Sequence, residues 1–220
     1  MNIACISYRD WALKIYDKLE SKIYENHNFL IFRKKDEFDS EKLVNFKPDL
    51  ILWYGWSWKV DNIFVDEYTS IMLHPSPLPK YRGGSPIQNQ IIKGEKNSAV
   101  TLFKMTRKID DGDIYIQKPF SLDGSLDDIF KRIIELGYRA TLEVINNNYD
   151  LKKQNNSEAT YYKRLPPSNS EITLDEIKKC NAEYLHNKIR MLNDPYPNAY
   201  IITSDNKKLY LIQSRLDDEK

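Results

Sequence analysis

Glycine is scarce in these 220 residues, seven in all, and cysteine scarcer still, with two. Cys5 and Cys180 lie far apart with no metal-ligand spacing, and read as two reduced thiols of a cytosolic protein. The first strand–helix turn, Ser7-Tyr8-Arg9-Asp10, holds no glycine, so the dinucleotide fingerprint is absent and NAD and FAD are set aside. Charge of one sign is lacking too. With 33 Lys and Arg against 32 Asp and Glu, binding of nucleic acid by bulk charge is not favoured. No apolar run approaches the length of a signal peptide or a membrane span, so a soluble cytoplasmic protein is expected. Of the three histidines, His27 and His186 read as surface residues, which leaves His74.

What is present is an alternation of strand and helix signals. Asn2 to Ser7 reads as a buried strand. Asp10 is expected to cap a helix with Trp11, Leu13, Ile15, Tyr16 and Leu19 on its inner face. Phe29 to Phe32, Asp49 to Tyr54 and the run ending at Leu73 follow as strands, with a short helix from Ser40 to Phe46. This order predicts an α/β fold with a mostly parallel, Rossmann-like sheet covered on both faces. Ala99 to Met105 and Ile114 to Gln117 flank an Asp-Gly turn and are expected to form a hairpin. Ser125 caps a long amphipathic helix reaching Ile145. Asn146 to Ser157 reads as a linker, so the expected division is a catalytic part over 1–150 and a small α+β unit over 157–220.

The chain is organised around Ser70 to Gln88. A strand ends at Leu73 and delivers His74 where Pro75, Pro77 and Pro79 forbid further sheet. Gly83-Gly84 permits a sharp turn, and Ser85-Pro86 reads as a helix N-cap followed by proline. His74 and Asp110 both fall at strand ends, the edge where open α/β sheets keep their ligands. A carboxylate beside an imidazole fixes its tautomer and makes a general acid–base near neutrality. Taken singly, each also has a plainer reading, a structural histidine and a turn-starting aspartate.

The pattern His74-Pro75-Ser76-x-Leu78-Pro79-x-Tyr81-Arg82-Gly83-Gly84-x-Pro86-Ile87-Gln88, then Gly94-Glu95, Ala99-Val100-Thr101-Leu102 and Ile109-Asp110-x-Gly112-Asp113-Ile114, resembles the 10-formyltetrahydrofolate-dependent formyltransferases. That family includes methionyl-tRNA formyltransferase, glycinamide ribonucleotide transformylase and the nucleotide-sugar N-formyltransferases. The likeness covers about residues 49 to 120, and Asp194-Pro195-Tyr196-Pro197-Asn198-Ala199-Tyr200 resembles a segment of the family's small C-terminal domains. It implies His74 and Asp110 as catalytic residues and 10-formyltetrahydrofolate as co-substrate, with no metal. An amine attacks the formyl carbon, donors hold the oxyanion, and protons pass to the departing folate nitrogen. Tyr54, Gly55, Trp56, Ser57 and Trp58 align with the pterin-pocket loop, and Ile109 to Asp111, including Asp111, would close it. Part of the cluster Trp53, Tyr54, Trp56 and Trp58 has the plainer reading of core.

One position departs from the family, whose Asn-x-His pattern here has Met72 in place of asparagine. A thioether donates no hydrogen bond, so the oxyanion loses a donor. Gln88, a protonated His74 or a backbone N–H could replace it; the local alignment could mislead; or the chain could be a weak enzyme or a non-catalytic binder. For the acceptor, Ser76, Lys80, Tyr81, Arg82, Gly83 and Gly84 are the expected contacts, with Lys80 and Arg82 placed to meet a diphosphate or, equally, to be solvated loop charges. Among family members the neutral charge and small C-terminal unit fit a nucleotide-sugar N-formyltransferase, commonly a dimer, better than a tRNA enzyme. The expected partners are folate and a nucleotide sugar, with no nucleic acid and no membrane. A silent binding module, a formyl-folate hydrolase and a carrier-bound aminoacyl formyltransferase are the alternatives.

Overall fold

The computed structural model describes residues 1–194 and 196–217, to which every structural statement below refers. In chain order the elements are β1 (Asn2–Ile6), α1 (Asp10–Ile23), β2 (Asn28–Phe32), α2 (Ser40–Asn45), β3 (Leu50–Leu52), α3 (Asn62–Asp66) and β4 (Ser70–His74). Then follow β5 (Arg82–Gly83), α4 (Pro86–Ile92), β6 (Asn97–Lys104), β7 (Ile114–Ser121) and α5 (Leu126–Ile145). The chain continues with β8 (Tyr161–Tyr162), α6 (Leu174–Lys179), α7 (Ala182–Arg190), β9 (Ala199–Ile202) and β10 (Lys208–Leu211).

A six-stranded sheet in the order β2-β1-β3-β4-β6-β7 forms the frame. Its first four strands are parallel, and β6 and β7 extend it antiparallel from β4. Parallel strands are buried on both faces, which is why β1 reads as an unbroken apolar run. Successive side chains alternate: Ile3 and Cys5 enter one apolar cluster with Ile15, Leu19, Ile129 and Ile133 of α1 and α5. Ala4 and Ile6 enter the other, with Leu43, Trp53 and Phe64. Ser125 and Asp128 form the N-terminal capping box of α5. That helix runs on through Gly137 because a Cβ there would lie 2.7 Å from Ile15 and 2.8 Å from Leu73, so the glycine permits close packing.

Three expectations are corrected. Asp10 is the first residue of α1 and not its cap; Arg9 stands at the cap without a side-chain bond, and the Asp10 carboxylate instead meets the positive end of the helix. Ser85 does not cap α4: its backbone is left-handed (φ 48°), and its hydroxyl accepts from the Leu165 N–H. The segment expected as a linker is bound to the sheet, Lys152 exchanging both backbone bonds with Ile114 of β7. Beyond it β8 lies parallel to β5, and Ile172, Ile189, Met191, Leu192 and Ala199 enter the first apolar cluster.

Candidate active site

β4 ends at His74 on the edge of a cleft of about 400 Å³. The imidazole is buried and has one direct hydrogen bond, Nε2 to the Tyr81 carbonyl at 2.7 Å. A carbonyl only accepts, so Nε2 carries a hydrogen, and whenever the ring is neutral its lone pair is at Nδ1. Facing Nδ1 at 3.6 Å is Oδ2 of Asp110. Asp110 comes from the loop between β6 and β7, where Gly112 is obligatory: a Cβ there would sit 1.7 Å from the Lys104 carbonyl. Asp110 itself is left-handed (φ 51°), and its Oδ2 accepts the Gly83 N–H at 2.8 Å. The Asp-Gly signal is thus right about the pairing of the strands, but the connection is a broad loop that carries Asp110 back to His74.

Gly55, Trp56 and Ser57 line the cleft on one side, Gly83, Gly84 and Gln88 on another, and Phe130, Arg164 and Tyr196 close it. Gln88, on α4, is 3% exposed, and its Nε2 has no hydrogen-bond partner among the described residues. Buried amide nitrogens are rarely left so, because an unmade bond costs about 1–3 kcal/mol. Met72 also lines this cleft and packs against the Trp53 cluster.

The sequence matches the family model described as Formyl transferase over residues 11–145. The chain belongs to the formyl transferase family. It is 30% identical over 186 residues to the methionyl-tRNA formyltransferase of Ehrlichia canis, a match covering 82% of this chain and 58% of that one, so the chain spans somewhat over half the length of this curated relative. A solved structure of methionyl-tRNA formyltransferase from Clostridium thermocellum superposes with a TM-score of 0.89 at 30% identity, covering 100% of this chain and 95% of that one. A 4-N formyltransferase from Francisella tularensis shares the fold (TM-score 0.77, 21% identity, 99% and 98% covered).

Within this formyl transferase chain the expected acceptor residues divide. Gly83 and Gly84 border the cleft, but their smallness also serves backbone packing: Cβ atoms there would lie 2.4 Å from the Tyr162 carbonyl and from the Arg164 nitrogen. Arg82 does not reach the cleft. It is 1% exposed, and its guanidinium donates to Gln154 Oε1, the Tyr161 hydroxyl and Asn156 Oδ1, holding down the segment after α5. Ser76 is buried and donates to the Lys80 carbonyl, and Lys80 is exposed outside the cleft wall. Tyr81 stacks on Tyr162 and donates to Glu95, and burial followed by that bond pushes its hydroxyl well above the ordinary phenol range.

The expected folate loop divides as well. Tyr54 is core: its hydroxyl bonds Thr141, its N–H donates to the Tyr16 hydroxyl, and burial drives its own hydroxyl far above the ordinary range. Trp58 is exposed, packs against Tyr8 and Trp56, and does not itself line the cleft. Ile109 is exposed, and Asp111 accepts from Thr106 and pairs with Lys108, so neither lines the cleft. Pro195 of the C-terminal motif lies outside the described residues, whereas Tyr196 and Pro197 face the cleft. Arg9 and Arg164, which no motif of the sequence marks, both border the cleft, and neither has a carboxylate partner among the described residues. Arg9 lies over the rings of Tyr8 and Tyr196, and Arg164 donates to the Ser57 hydroxyl. Among the described residues no group of three or more His, Cys, Asp or Glu is arranged to hold a metal, and no helix is long and apolar enough to cross a membrane.

Proposed function

We propose that the chain is an N-formyltransferase that moves the formyl group of 10-formyltetrahydrofolate to the amine of a nucleotide-linked amino-deoxy sugar. The observation that carries the reading is the His74–Asp110 pair on the cleft wall, with Nδ1 free to take a proton that the Asp110 carboxylate then faces. The bond formed joins the acceptor nitrogen to the formyl carbon, and the bond broken is that carbon's link to the folate nitrogen. Attack leaves a proton to be removed from the acceptor nitrogen, and departure requires one at the folate nitrogen; His74 serves both. In place of an asparagine at Met72, the unpartnered Nε2 of Gln88 is the donor to the oxyanion. Gly55, Trp56 and Ser57 form the wall for the pterin, an aromatic ring beside backbone polar groups.

For the acceptor, Arg9 and Arg164 supply the charge that Lys80 and Arg82 were expected to bring. A guanidinium without a carboxylate partner suits a diphosphate. A cytoplasmic location is part of the proposal, and two free cysteines, one fully buried, agree with a reducing compartment. A homodimer is part of the proposal. A second reading, methionyl-tRNA as acceptor, is favoured by the names of the relatives and by the Clostridium thermocellum structure. Against it stands a chain whose formal net charge is only +1, since tRNA binding draws on many phosphate contacts.

The deciding experiment incubates the protein with 10-formyltetrahydrofolate and, in parallel, UDP-, dTDP-, GDP- and CMP-linked amino sugars or charged methionyl-tRNA, reading the formyl mass increment. Formylated sugar supports the proposal, and formylated methionyl-tRNA alone overturns its acceptor. Formate released without acceptor marks a hydrolase, and binding without turnover a silent module.

A further inference from the structure

We propose that Gln154 is the positioning residue for Asp110, a role that rests on the formyl-transfer reading of the site. Gln154 lies in the segment expected as a linker, two residues beyond the Lys152–Ile114 bridge that fixes its register against β7. Its Nε2 donates to the Asp110 carbonyl at 2.9 Å and the Gly112 carbonyl at 2.7 Å. Its Oε1 accepts from Arg82 Nε at 3.1 Å and from a terminal Arg82 nitrogen at 2.6 Å. A primary amide has two N–H donors and two lone pairs on its oxygen, and all four are used. Its orientation is unambiguous, because carbonyls only accept and a guanidinium only donates.

These bonds close a ring around the aspartate. Its carboxylate is held by the N–H of Gly83, the residue after Arg82, and its backbone is tied through Gln154 to the Arg82 side chain. Arg82 is anchored in turn by Tyr161 and Asn156. Asp110 occupies the left-handed region (φ 51°), which aspartate visits more readily than most L-residues but less freely than glycine, so the bonds around it decide whether that conformation is kept. Relaxation of that φ would swing the carboxylate away from His74. Gln154 does not itself line the cleft and meets its wall through the backbone of Asp110, so its influence passes through Asp110.

The test uses the full chain carrying Gln154→Glu, which keeps acceptors for Arg82 but turns an oxygen instead of an N–H₂ toward the two carbonyls. The expected result is a fall in kcat of roughly 10–100-fold, the scale of an ångström-sized misplacement, with KM for 10-formyltetrahydrofolate within about twofold. In an Asp110→Asn background the same change costs at most about twofold, because the residue it positions is already disabled. Equal losses in both backgrounds, or an unchanged kcat, overturn the proposal. The ¹⁵N resonances of the His74 ring, recorded without substrate, should move in Gln154→Glu; unchanged resonances also overturn it. If the wild-type chain formylates no acceptor the formyl-transfer reading fails, while the His74 resonances still decide whether Gln154 sets the Asp110 geometry. Gln154→Asn, one methylene too short to span both sides, is read identically should the glutamate variant not fold.

Discussion

Nδ1 of His74 and Oδ2 of Asp110 face each other across 3.6 Å, while Nε2 of the same imidazole is committed to the Tyr81 carbonyl. With the ring neutral, two acceptors confront each other, and a proton arriving at Nδ1 converts that confrontation into an ion pair. The tautomer is therefore set by a backbone carbonyl in the proline-rich loop, and the carboxylate serves the protonated state. His74→Ala and Asp110→Asn should each lower kcat by about 10²–10⁴-fold with KM for the folate little changed, the range for loss of a positioned acid–base group. Steady-state kinetics on the acceptor identified by the panel checks this. A variant that keeps near-wild-type kcat removes its residue from the mechanism.

The replacement of a family asparagine by Met72 becomes testable through Gln88. If the unpartnered Gln88 amide is the oxyanion donor, Gln88→Met should cost roughly 10²–10³-fold in kcat. Adding Met72→Asn should then recover much of that loss, because the new amide occupies the same cleft. Met72→Asn alone should alter kcat far less, since the donor is already supplied. The three variants, compared at saturating folate, separate these outcomes; a Gln88→Met enzyme with full activity rules out its donor role.

The positions of His74, Asp110 and the sheet were legible because each follows from local chemistry. An apolar run stopped by prolines ends a strand, and an Asp-Gly between apolar runs joins two. The role of Arg82 was not legible. Beside two glycines in a loop it reads as a ligand contact, and only the return of Gln154, Asn156 and Tyr161, more than seventy positions later, buries it. The same distance in sequence hid the second purpose of Gly83 and Gly84, which admit the backbone of Tyr162 and Arg164. Arg9 carries no local signal, because a single arginine in a strand–helix turn is chemically no different from a solvated charge. Its place on the cleft depends on Tyr196 approaching from the far end of the chain.

Arg82→Met should accordingly act on stability before it acts on substrate affinity. It removes a buried guanidinium and leaves Gln154 Oε1 and Asn156 Oδ1 without their donor. Hydrogen bonds to a charged group are worth about 1.5–3 kcal/mol, and stranded buried acceptors add to the loss, so a cost of roughly 2–4 kcal/mol is expected. For a chain of this length that corresponds to a fall in Tm of roughly 5–15 °C. Thermal unfolding measures it, and the KM for the acceptor should change little. A large rise in acceptor KM with unchanged Tm would return Arg82 to the substrate.

Two partly buried groups in the C-terminal part of the chain should add to its acid sensitivity, each in its own window. Burial, with the Arg190 charge beside it, depresses the His186 imidazole below its ordinary value. The unfolded chain therefore takes up this proton more readily than the folded one. The contribution is in full force above about pH 6.5, the unfolded value, and is lost as pH falls from there through the folded value. Glu176 acts lower. Burial works to raise its carboxyl, but the bond from the Lys188 ammonium at 2.6 Å and the Thr173 N–H hold it below the ordinary range. Its contribution is present above about pH 4.3 and lost as pH falls through the depressed folded value. Urea unfolding at pH 8, 6, 5 and 4 should show stability declining first below 6.5. His186→Asn should flatten the upper part of that decline and leave the lower part intact, whereas Glu176→Gln should lessen the lower part, where other paired carboxylates also titrate, and leave the upper part intact. A wild-type stability constant from pH 8 to pH 5 would show that His186 titrates alike in the folded and unfolded chain.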